Sequence, residues 1–215
     1  MEIQNTNRKI VYVYLLDGLS DWELSFVLPE LKSGQCFKKG IQPYIIKTFA
    51  LNNNPIMTMG GLHIIPDMTL DDIDVEQAAL MLLPGSYDWM KSDHSFVLKK
   101  VKEFIDKNIL VGAICGATIA LAKAGIFDNY EHTSNDLNFL KSVCPEYKGE
   151  KYYRKEPAVS DRNLITAGGT APIEFAREIL KKLDVISDEV LDTWYKLYKE
   201  QDSQYYFKLM QMLSV

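Results

Sequence analysis

The chain has 215 residues, 47% of them hydrophobic and 25% charged, with a formal net charge of −5. This length and apolar content suit one compact domain, and twelve Gly and eight Pro exclude collagen-like and low-complexity classes. The acidic balance, with lysines scattered or in short doublets such as Lys99–Lys100 and Lys181–Lys182, excludes a dedicated nucleic-acid binder. Three cysteines, Cys36, Cys115 and Cys144, cannot all pair, and no CxxC or Cys/His run has zinc spacing. A reduced, cytoplasmic protein with no metal and no cofactor is expected.

The opening MEIQNTNRKI is polar and lacks the apolar centre of a signal peptide. Lys9–Leu16 predicts a strand and Ser20–Lys32 a helix, despite Pro29 inside it. Ile41–Leu51 predicts a strand, Asn52–Pro55 a turn, and Met57–Ile65 a small hairpin around Gly60–Gly61. Pro66–Asp74 reads as an acidic turn, and Ala78–Leu83 as a buried strand ended by Pro84–Gly85. His94–Lys107 has helical periodicity, with Phe96, Val97, Val101, Phe104 and Ile105 facing inward. Ile109–Phe127 is apolar and long enough to cross a bilayer. Its first six residues, however, form a strand-like β-branched run after Asn108, and the remainder a separate helix ending at Gly125, so no membrane span is expected. A short helix is predicted at Asn135–Val143, a strand or hairpin at Tyr152–Asp161, a strand at Leu164–Ala167 and a helix at Ala171–Leu183.

Strands alternate with helices almost throughout, which predicts an α/β fold with a doubly wound, mostly parallel sheet. No linker, repeat or charge block divides the chain, so residues 1–215 read as one domain, with a core over about 9–183 and a helical extension over about 184–215. That extension holds two helices, Ser187–Tyr198 and Asp202–Leu213. The stripe Val190, Leu191, Trp194, Leu197 and Tyr198 either packs on the domain or makes a dimer contact.

The most informative segment is Val111-Gly112-Ala113-Ile114-Cys115-Gly116-Ala117, where a buried strand runs into a helix with Cys115 at the junction. Small residues on either side let the backbone turn sharply, as in a nucleophile elbow. The turn lifts the thiol above the carboxyl edge of the sheet, where open α/β folds bind ligands, and the helix N-terminus favours thiolate. Leu16-Asp17-Gly18-Leu19-Ser20-Asp21-Trp22-Glu23 follows the first strand. Ser20 and Glu23 have the spacing of a capping box; Glu23 equally falls at the sheet edge near Cys115, where a carboxyl could orient the thiol or move protons. Backbone N–H groups of Gly85, Ser86 and Gly116 are candidates to hold an oxyanion. His63 suits a structural role in a hairpin, His94 a solvent-facing helix start, and His132 lies beside the expected site. Trp22 and Trp89 flank two site loops. Gly168-Gly169-Thr170 fits helix-start packing or anion binding.

The pieces DGLSDWE, IIPDMTLDDID, MLLPGS, VGAICGATIALAKAGIFDNYEHTSN and LITAGGTAPIEFAREIL occur in one order over residues 9–183. In this the chain resembles the ThiJ/PfpI superfamily, of the class I glutamine amidotransferase-like fold. The resemblance implies a flavodoxin-like α/β/α sandwich and a homodimer. It implies a reactive cysteine at Cys115, a Glu at Glu23 hydrogen-bonded to the thiol, and oxyanion N–H groups at Ser86 and Gly116. Three departures stand out. Gly116 takes the position of the His that follows Cys in protease-like members, which argues against peptidase activity. Asn135 takes the position of a second family His, with His132 offset by three residues. Ser86 replaces the second Gly of a Pro-Gly-Gly turn, where positive φ would be less accessible. The resemblance therefore implies amidase-, glyoxalase- or deglycase-like chemistry on a small-molecule substrate. The alternative is a non-catalytic oxidative-stress sensor or chaperone-like protein using the same cysteine.

Overall fold

A computed structural model describes residues 9–214. The polar lead at residues 1–8, on which the expectation of no signal peptide rests, lies outside them. Nine strands and seven helices follow in chain order among the described residues: β1 (Ile10–Tyr14), α1 (Val27–Ser33), β2 (Ile45–Ala50), β3 (Ile56–Met57), β4 (His63–Ile64), β5 (Met68–Thr69), β6 (Ala78–Leu83), α2 (Ser95–Asp106), β7 (Leu110–Ile114), α3 (Gly116–Lys123), α4 (Leu137–Val143), β8 (Ala158–Asp161), β9 (Leu164–Ala167), α5 (Pro172–Lys182), α6 (Asp188–Glu200) and α7 (Ser203–Leu213). Seven strands form one sheet in the order β5-β2-β1-β6-β7-β9-β8. All neighbours are parallel except β8, which pairs antiparallel with β9. β3 and β4 make the separate hairpin expected around Gly60–Gly61.

The central strands are apolar on both faces because helices cover both. Tyr12 of β1 meets Phe104 of α2 edge-on at 6.4 Å. On the opposite face Gly112 of β7 lies so close to α5 that a Cβ there would come within 2.9 Å of Phe175. α6 then closes over α1: Leu191 and Trp194 are buried, and Trp194 Nε1 donates to Glu30 Oε1 at 2.8 Å. The C-terminal stripe therefore packs on its own domain. No helix among the described residues is long and apolar enough to cross a membrane; Ile109–Phe127 divides into β7, α3 and a short turn.

Several boundaries differ from expectation, each for a local reason. The first helix begins at Val27 rather than Ser20, which puts Pro29 in the first turn, where its missing N–H forfeits no helical bond. β2 begins at Ile45, beyond Pro43, which has no N–H to give a ladder. Only Ala158–Asp161 of Tyr152–Asp161 is strand. Within Pro66–Asp74, Met68–Thr69 joins the sheet edge. Phe96 is 67% exposed instead of inward. His94 is buried instead of solvent-facing: Tyr14 Oη lies 2.9 Å from its Nδ1, and the Asp88 carbonyl 3.0 Å from its Nε2.

Candidate active site

Loops from the carboxyl ends of β1, β6, β7 and β9 converge on one point. Ser20 N–H donates to the Gly85 carbonyl at 2.9 Å, tying the loop after β1 to that after β6. Cys115 N–H donates to the Ala167 carbonyl at 3.0 Å, and Trp22 Nε1 to the Gly169 carbonyl at 2.9 Å, adding the β9 loop. Cys115 sits between β7 and α3 at φ 58°, ψ −122°. That backbone is costly for any residue with a Cβ, and the strained turn is what an elbow requires.

Because α1 starts late, Glu23 is not a helix cap. It is fully buried, and its Oε2 accepts the Gly85 N–H at 2.5 Å. Its Oε1 is buried without a hydrogen-bond partner, so the hydrogen bond to the thiol that the resemblance implies is not formed here. The packing here tolerates no side chain at two glycines. A Cβ on Gly85 would fall 2.6 Å from Cys115 Cβ and 2.7 Å from Glu23 Oε1; one on Gly169 would fall 2.7 Å from Cys115 Sγ. Burial pushes the Glu23 carboxyl up to about 7, against the lowering pull of the Gly85 N–H. Burial and then the Glu23 charge push the Cys115 thiol up to about 11, against donation from Asn135 and the Gly116 N–H. At this thiol, burial and the Glu23 charge thus oppose the Asn135 and Gly116 donors at the start of α3.

Gly85, expected among the oxyanion donors, is already committed to Glu23. Ser86 and Gly116 do line the cavity beside Cys115, and Gly116 lies against the Ser86 backbone. Ser86 has φ −161°, an extended conformation open to any residue, so replacing Gly there carries no backbone cost. Its Oγ donates to the Asp17 carbonyl at 2.6 Å, which fixes the turn.

The two candidates near the family His position separate cleanly. Asn135 Nδ2 donates to Cys115 Sγ at 3.4 Å, while its Oδ1 accepts the Gly169 N–H at 2.8 Å. His132 is buried elsewhere: it stacks on Phe127 at 4.0 Å, with the Tyr130 carbonyl 2.7 Å from Nδ1 and the Tyr147 hydroxyl 2.5 Å from Nε2. Burial lowers its pKa. It is a structural histidine. His63 is exposed on β4. Trp22 lines the cavity, whereas Trp89 is core, its Nε1 donating to the Pro84 carbonyl at 2.8 Å. Cys36 and Cys144 are buried and free, and burial with the nearby Glu30 pushes Cys36 up to about 12. The sequence reading missed Gly169 as a wall of the thiol site, although its place after β9 was a signal. It also missed Met59, Tyr87, Met90, Ile119 and Phe139 as cavity lining. Met59 comes from the hairpin, far away in sequence, and only the folded chain reveals it. Among the described residues no group of three or more His, Cys, Asp or Glu could hold a metal ion.

Comparison with known proteins identifies the family and the fold. The chain is 45% identical over 204 residues to "Uncharacterized protease YoaZ" of Bacillus subtilis (strain 168), covering 95% of this chain and 97% of that protein. It is similar to the crystal structure of a thiJ/pfpI family protein from Bacillus anthracis, with a TM-score of 0.91 and 45% identity over 95% of this chain and 96% of that one. A more distant relative, 26% identical over 136 residues, is "Glutathione-independent glyoxalase DJR-1.2" of Caenorhabditis elegans, covering 62% of this chain and 70% of that protein. The DJ-1/PfpI family matches residues 9–182, which is the sheet and its flanking helices. The chain belongs to the DJ-1/PfpI family.

Proposed function

We propose that this protein is a cysteine-dependent enzyme, of hydrolase or lyase type, acting on the electrophilic carbon of a small carbonyl or amide compound. The observation that carries the reading is the sealed pair of Cys115 and Glu23, with Glu23 Oε1 buried, unpartnered and packed against the same glycines as the thiol. A carboxyl titrating near 7 suits proton transfer at neutral pH. Glu23 takes the thiol proton as Sγ bonds to the carbon, and the C=O π pair moves to oxygen, held by the Ser86 and Gly116 N–H groups. With an aldehyde, the proton returns from Glu23 to that oxygen, giving a hemithioacetal. With an amide, the pair collapses back, the C–N bond breaks, and the amine leaves with the proton from Glu23; water then hydrolyses the thioester. Asn135 orients the sulfur and is no proton carrier. Gly116 stands where protease-like members carry His, which argues against peptidase chemistry. The glyoxalase named among the relatives acts under a name consistent with such chemistry. The same reading takes the protein to be cytoplasmic and homodimeric, needing no cofactor and contacting neither nucleic acid nor membrane.

The test is the pH dependence of Cys115 alkylation in wild type and Glu23→Gln, followed by turnover of small aldehydes and amides. Coupling of the two residues with turnover supports the enzyme. A second reading, an oxidative sensor, is favoured by the same unpartnered Oε1, which when protonated suits donation to a cysteine sulfinate oxygen. Peroxide-driven oxidation of Cys115 without turnover would select it.

A further inference from the structure

We infer that the site takes an uncharged substrate whose electrophilic carbon carries an apolar or aromatic group. This rests on the reading of Cys115 as nucleophile and names the substrate class for it. The cavity over Cys115 has a volume of about 290 Å³. Its walls are Trp22, Met59, Tyr87, Met90, Ile119 and Phe139, with Ser20, Ser86 and Asn135 as small polar points near the thiol. Among the described residues that line it there is no Asp, Glu, Lys, Arg or His. The nearby acids are engaged: Asp21 accepts the Gly60 N–H at 2.7 Å, Asp17 the Met57 N–H at 2.9 Å, and Asp136 the Phe139 N–H at 2.8 Å. Glu23 lies beneath the floor, fully buried.

A carboxylate or ammonium on the substrate would lose water here and gain no counter-ion, which is costly. An apolar group gains instead. Trp22, Met59 and Tyr87 stand 47%, 46% and 67% exposed around the opening, an apolar surface of the kind that marks a ligand groove. The volume is about twice the ~150 Å³ cavity that holds a benzene molecule, leaving room for a ring, a linker and the reacting carbon. For an aldehyde of this class the step needs no other reactant. The S–H bond breaks, the S–C bond forms, and the proton reaches the former carbonyl oxygen through Glu23.

The experiment uses the full chain with Cys115→Ser, which binds without reacting. It is titrated calorimetrically with N-benzylacetamide, phenylacetate and benzylammonium, three probes of similar size that differ in charge. The expected result is that the neutral amide binds about tenfold more tightly than either ion. Adding Met59→Lys supplies a counter-ion and should shift the preference towards phenylacetate. Equal or tighter binding of an ion without that change, or no binding by any probe, overturns the inference. A self-associated dimer that closes this face and excludes all three probes overturns it too. Alkylation of wild-type Cys115 by iodoacetamide is read separately. A reactive thiol without the charge preference defeats only the substrate class, and a charge preference over an inert thiol defeats only the enzymatic reading.

Discussion

Glu23→Gln separates a buried proton-holding carboxyl from an ordinary one through stability alone. The unfolded chain binds this proton with a pKa of 4.5, and the folded chain with one of about 7. Because the folded value is raised, the native state binds the proton more tightly. Stability from this group is therefore fully present below pH 4.5 and is lost as pH rises towards and through 7. Linkage over that interval gives a loss of roughly 2–3 kcal/mol between pH 5 and pH 8. Gln keeps the shape and the acceptor for Gly85 N–H but cannot ionise. Groups other than Cys115, whose thiol the Glu23 charge raises, titrate alike in both proteins, so the stability difference reports on position 23 and the thiol beside it. Urea unfolding of both at pH 5, 6.5 and 8 should show the variant gaining roughly 2–3 kcal/mol on wild type across the range. A difference that stays flat with pH would mean that Glu23 is already ionised at pH 5. The proton transfer assigned to it would then be untenable.

In the same variant the Cys115 thiol should titrate lower, because the carboxylate charge that raises it is gone; iodoacetamide rates against pH measure this directly. Asn135→Ala should move the thiol the other way, slowing alkylation at fixed pH, since the amide N–H donated to sulfur lowers the thiol pKa. Gly169→Ala should cost roughly 1–3 kcal/mol by overpacking against Cys115 Sγ and should block alkylation, as denaturant melts and mass spectrometry would record. His132→Ala should destabilise the fold by about 2–4 kcal/mol through the lost Phe127 stacking and buried hydrogen bonds, yet leave the Cys115 pH profile unchanged.

The pattern of the fold was legible because its inner strands are mostly apolar: Ala78–Leu83 and Leu164–Ala167 have the bounds that composition suggested. The elbow was legible because strand, small residues and cysteine are contiguous in the chain. Pro29 held the information that the first helix starts late, but the periodic apolar residues before it masked that signal. Capping box and site carboxyl could not be separated by spacing at Glu23, because both put a Glu three residues after Ser20; only the position of Gly85 decides. The assignments of Asn135 and His132 were likewise undecidable, since three residues along an irregular loop send one side chain to sulfur and the other into the core. The thiol's raised pKa depends on burial, which no local motif encodes.

The seven-stranded sheet ends on β5, two residues long, and on β8, which runs against its neighbour. The separate hairpin strands are also two residues each. Rims of two residues at β5 and four at β8 give an incoming chain only a short row of free N–H and C=O groups to extend. Growth of the sheet from molecule to molecule is thereby discouraged, which guards against fibre formation. Self-association built from side chains on helices and loops would then be abolished by surface substitutions that leave the sheet untouched.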